Sequence, residues 1–158
     1  WVPPLSVNCP KKKGTDIMFT KPKNGWTDIV LDDFEGLGSY IQDVPVEVME
    51  ASISALKKNE PLKLHFDEEG SEFTLTADEM TKIVAQGYYG PEEYEVKRTK
   101  LELIKEICED MEEYFHDWVE FNEDYAYFED DEAEQKQDFY DEREIVLKAL
   151  LEELKGLL

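Results

Sequence analysis

The stretch LKLHFDEEGSEFTLTA (62–77) decides the fold class. Apolar and polar residues alternate through it. Leu62, Leu64 and Phe66 share one face, and Phe73 and Leu75 share one on the return, so it predicts two antiparallel strands. Glu69-Gly70 supplies the turn between them.

Upstream, residues 44–58 place Val46, Met49, Ser52, Ile53 and Leu56 at helical spacing, with Pro45 in the first turn and Glu47 near the positive helix start. Asp43 stands where an N-cap belongs, and Asn59, Glu60 and Pro61 end the helix. Further back, DIMFT (16–20) and WTDIVLD (26–32) read as a hairpin around KPKNG, and Ser39–Gln42 as a third strand. Residues 1–15, with three prolines, a glycine and the Lys11–Lys13 cluster, read as an extended arm or a purification remnant.

Downstream, TADEMTKIVAQ (76–86) has Thr76 three residues before Glu79, the capping-box spacing, and predicts a short second helix, with a strand at 80–85 as the rival. GYYGPEEYE (87–95) reads as a loop. From Lys97, Leu101, Ile104, Cys108, Met111, Phe115 and Trp118 recur at steps of three and four, with the acids Glu102, Glu106, Glu109, Asp110, Glu112, Glu113 and Asp117 on other faces. A last helix at about 138–157 carries Tyr140, Leu147, Leu151, Leu154 and Leu158. Strands come first and long helices last. The expectation is a single α+β domain over 16–158, an antiparallel β-sheet of about four or five strands with one or two short helices and two longer C-terminal helices. Residues 16–86 hold the sheet plus short helices, and 97–158 form an acidic helical part.

Charge is the second signal. The 158 residues carry a formal net charge of -22 while remaining 41% hydrophobic, which describes a folded acid and not a disordered one. Residues 1–98 are net -7 and residues 99–158 net -15, so the helical part dominates the field. Glu106 to Gln135 hold fourteen carboxylates and no Lys or Arg, and the second half interleaves them with Phe121, Tyr125, Tyr127 and Phe128. Such a surface suits a basic protein partner and opposes direct contact with nucleic acid or an anionic membrane. No apolar run of membrane-spanning length is present. Cys9 and Cys108 read as free thiols of a reducing compartment, and no secretory signal precedes them, so a cytoplasmic location is expected.

Motifs for chemistry are missing from the pattern. His65 and His116 belong to no metal-ligand spacing, Cys108 sits in an apolar stripe, and no phosphate cradle, nucleophile elbow or CxxC pair occurs. FEDDEAE (128–134) lacks the glycine and ligand periodicity of a calcium loop. The expectation is no catalytic residues, no metal, no cofactor and no enzymatic role, with oligomeric state left open.

Gly25-Trp26, Ser39-Tyr40-Ile41 followed by Asp43-Val44-Pro45, and Phe66-Asp67 with Glu69-Gly70-Ser71-Glu72-Phe73 carry a further observation. Over residues 24–76 the chain resembles small acidic immunity proteins of bacterial polymorphic and contact-dependent toxin systems. The resemblance implies a protein that binds and neutralises a cognate toxin inside the producing cell. The first fifteen residues and the 120–137 segment depart from that pattern. Physical chemistry makes the role sensible, because a nuclease toxin presents Lys/Arg to phosphate and an acidic inhibitor can occupy that site. The alternative is a nucleic-acid-mimic inhibitor of the anti-restriction or anti-CRISPR type. In either case the expected partner-binding residues are Asp117, Glu120, Glu123, Asp124, Tyr125, Tyr127, Glu129, Asp130 and Asp131.

Overall fold

A computed structural model describes residues 18–87, 90–122 and 133–158. The expected N-terminal arm therefore lies outside the described residues, as do residues 16–17 of the first expected strand. The described chain forms β1 (Trp26–Leu31), β2 (Phe34–Ser39), α1 (Val44–Lys58), β3 (Leu62–Asp67), β4 (Glu72–Ala77), β5 (Thr81–Gly87), β6 (Gly90–Val96), α2 (Lys100–Glu113), α3 (Phe115–Val119) and α4 (Ala133–Leu157). The architecture is α+β, with the strands in two antiparallel sheets, β1-β2 and β3-β4-β5-β6, where a single sheet was expected.

The alternation of 62–77 becomes the β3-β4 ladder, in which Leu64 faces Leu75 and Phe66 faces Phe73. All four side chains are buried, as period-two patterning requires. The same alternation continues into β5, where Ile83 pairs with Leu75 and Tyr94 of β6 pairs with Ile83. The expected helix at 76–86 is thus a strand, and the expected loop at 87–95 is mostly β6. Thr76 and Glu79 never meet as a capping box, because Thr76 is held in the ladder opposite Lys63 and Lys82. Pro91 and three glutamates weaken the strand signal of β6, and they are tolerated because it lies at the edge of the sheet.

Upstream, Met18–Thr20 runs along β1 with a single bridge, Phe19 to Ile29, flanked by Thr20 N–H to Asp28 O and Val30 N–H to Met18 O. The third strand is β2, a few residues earlier than the expected Ser39–Gln42. Gly36 sits inside it because a Cβ there would come within 2.5 Å of the Phe73 ring, the close approach that joins the small sheet to the large one. Side chains complete that junction: Leu37 N–H donates to Glu68 Oε2, and Ser39 Oγ donates to Glu69. Gln42 spans the open edge of β3, donating from Nε2 to His65 O and accepting from Asp67 N–H at Oε1.

α1 begins and ends as expected, with Pro45 in its first turn and Asn59 in a left-handed conformation at its end. Asp43 precedes it, and its side chain accepts no capping hydrogen bond from the helix. Its carboxylate is instead taken by Arg143 of α4, at 2.8 and 3.2 Å. At the far end Lys57 of α1 meets Glu153 of α4, so α1 and α4 run side by side in the same direction. One cluster of buried apolar residues runs from Phe19 through the strands and α1 to α2, α3 and α4. Among the described residues no helix is long and apolar enough to cross a membrane.

Candidate partner-binding surface

α2 starts on a capping box: Thr99 Oγ1 accepts from Glu102 N–H and the Glu102 carboxylate accepts from Thr99 N–H. Those bonds hold the Glu102 carboxyl below its ordinary range. The buried face of α2 differs from the expected stripe. Leu101 is 45% exposed, whereas Leu103, Ile104 and Ile107 are fully buried. Two acids expected on outer faces are also buried, Glu106 and Asp110.

Each buried acid has a structural partner. Asp110 Oδ2 accepts from the backbone N–H groups of Met18 at 3.0 Å and Phe19 at 2.9 Å, fixing the strand that covers β1. Its main-chain oxygen accepts from the Trp118 indole N–H at 3.3 Å. Glu106 pairs with Arg98 at 3.2 Å, and Arg98 also reaches Asp32 at 3.5 Å. A buried ionised group needs such partners to offset its lost hydration.

The helix breaks at Tyr114 and resumes as α3. Trp118 turns inward against Phe19, with ring centroids 5.5 Å apart at 85°, and against Phe121 at 5.3 Å. Phe121 is 2% exposed, so this aromatic, expected on the acidic surface, is part of the core. Arg143 closes the end of α3, donating from Nε to Val119 O at 2.7 Å and from Nη2 to Trp118 O at 3.0 Å.

Asp117 of α3 is half-buried, and Glu120, which follows α3, is exposed. They form one wall of an open cleft of about 790 Å³, floored by Phe121 and faced by Lys21, Pro22, Lys23, Asn24 and Gly25. Asn24 and Gly25 take positive φ, 54° and 80°, which lets the turn fold back toward α3. Among the described residues neither Asp117 nor Glu120 has an ion-pair or side-chain hydrogen-bond partner, and Lys21 and Lys23 stand equally unengaged. The structure therefore brings together two of the nine expected binding residues. The others, Glu123, Asp124, Tyr125, Tyr127, Glu129, Asp130 and Asp131, lie outside the described residues. The basic wall escaped the sequence reading, which treated Lys21 and Lys23 as turn residues only.

Burial pushes the Cys108 thiol up, which keeps it protonated inside the α2 face. The His65 ring meets Glu72, at 3.3 Å on the open face of the sheet. Lys155 is raised because it donates to Glu112, a pair that ties α4 to α2. Among the described residues no three acidic, histidine or cysteine side chains gather as a metal site. Compared with protein-family models, curated proteins and solved structures, the chain matches none.

Proposed function

We propose that the protein is an immunity protein that binds and neutralises a basic toxin, a nuclease by preference, in the cytoplasm of the cell that makes it. The observation that carries this reading is the pair Asp117 and Glu120, acids of the one-sign run that stand unengaged on the wall of a cleft. Carboxylates without internal partners cost little to keep in water and become strong contacts once a cationic groove desolvates them. The net charge of -22 adds long-range steering toward such a groove. Lys21 and Lys23 on the facing wall favour a shaped protein contact over imitation of a uniform phosphate track.

Co-purification from the native cells, with identification of the bound protein and a growth assay in which the two are co-expressed, tests the reading. A basic toxin whose lethality is relieved by the wild type and not by Asp117→Lys with Glu120→Lys and Asp124→Lys with Asp130→Lys supports it. Inhibition of several unrelated DNA-binding proteins would favour the mimic, and an acidic partner would overturn both. Asp28→Lys is the control, since Asp28 is exposed on β1. Asp32 is unsuitable for that purpose, because it meets Arg98.

A further inference from the structure

α4 carries more apolar surface than its packing uses. Leu147, Leu151 and Leu154 face the core, yet Ile145 is 69% exposed and Val146 47%, and Ala149 is exposed one turn on. At about 100° per residue these three fall together on the side away from Leu151. On the α1 side the ridge continues into a groove of about 460 Å³, floored by Val46, Phe139, Val146 and Leu147.

Charge decides what this surface can take. Arg143, at the groove's end, is already committed to Asp43 and to the carbonyls of α3. Glu142, on the rim, has no ion-pair partner among the described residues. Glu50 stands exposed one turn beyond Val46 on α1. The result is an apolar floor with an acidic rim in a chain of net charge -22. A second copy would bring the same charge against it, and a neutral apolar partner would leave the rim without counter-charge. A helix with an apolar stripe flanked by Lys and Arg satisfies both parts.

We propose that the α1-α4 groove and the Ile145-Val146-Ala149 ridge form a docking surface for a basic amphipathic helix of a protein partner. The inference rests on the reading that the partner is basic, and it concerns a different surface from the Asp117-Glu120 cleft.

The test uses the full chain and a fluorescent synthetic helix of leucine and lysine, about five turns long, with binding read by anisotropy. Ile145→Glu with Val146→Glu removes the apolar ridge while adding two negative charges. Charge attraction alone predicts tighter binding by this variant, whereas docking predicts binding weaker by about tenfold or more. Unchanged or tighter binding, or no binding to the wild type, overturns the proposal. Ile145→Ala with Val146→Ala, which keeps helix propensity, should weaken binding in the same direction. Circular dichroism and the unfolding midpoint establish that both variants are folded. Asp117→Lys with Glu120→Lys should change peptide affinity less than the ridge variants. If it alone abolishes binding, the helix docks in the cleft and this proposal falls while the earlier one stands. Sedimentation that finds a wild-type dimer broken by Ile145→Glu assigns the ridge to a second copy and also overturns it. The peptide assay contains no toxin, so its failure is separable from failure of the toxin reading.

Discussion

Glu106 and Asp110 on α2 and Asp117 and Glu120 around α3 belong to one unbroken run of negative charge, yet their physical situations are opposite. The first two are buried and bonded, to Arg98 and to the backbone of Met18 and Phe19. The second two face a cleft with no partner of their own. A carboxylate removed from water must be held by the fold, so the inner pair serves stability. The outer pair retains its hydration and can exchange it for a partner. Charge density alone does not separate the two kinds, but geometry does.

Asp110→Ala should break this contrast most visibly. It strands two buried N–H groups and frees the segment covering β1, so denaturant unfolding should show a loss of about 3 kcal/mol. A loss below about 1 kcal/mol would mean that the Met18–Thr20 strand is held by something else. Arg143→Lys comes next, because an ammonium cannot grip Asp43 bidentately while also closing α3; about 2 kcal/mol is expected by the same measurement. Thr99→Ala should cost about 1 kcal/mol through the lost cap. The Glu102 half of that box is pH-dependent. Its carboxyl is held below the ordinary range in the folded chain, so its contribution is complete above the unfolded pKa and is lost as pH falls through the folded one. The stability difference between wild type and Glu102→Gln should therefore narrow as the solution is acidified through the carboxylate range. Asp117→Lys with Glu120→Lys should have the smallest effect on stability, within about 0.5 kcal/mol, while slowing association with a basic partner more at low salt than at high. A large stability loss there would erase the distinction between the inner and outer acids.

Local signals were legible where the answer was local. α1 could be read from 44–58 because its apolar spacing, Pro45 and Asn59 all act within the helix. β3 and β4 could be read from alternation. β5 was obscured because Thr76 and Glu79 imitate a cap, and only pairing with β4 decides between strand and helix. β6 was obscured because an edge strand can carry Pro91 and glutamates that a central strand cannot. The inward turn of Asp110 was illegible because its partners lie more than ninety residues away. Asp43 looked like a cap for the same reason: its partner Arg143 is 100 positions along the chain. Of the expected site, Asp117 and Glu120 were legible as acids, but their facing lysines required the fold of the 21–25 turn.

Gln42 gives the large sheet a property that concerns handling more than binding. Its amide donates to His65 O and accepts from Asp67 N–H, taking the two positions through which a foreign strand would begin to zip onto β3. The opposite edge, β6, presents Pro91 and a row of glutamates, which deny a ladder bond and repel a like-charged neighbour. Both margins of the four-stranded sheet are thus closed to templated growth. A concentrated solution of Gln42→Ala should form fibrils or larger particles before the wild type does, with the β3 margin as the seed.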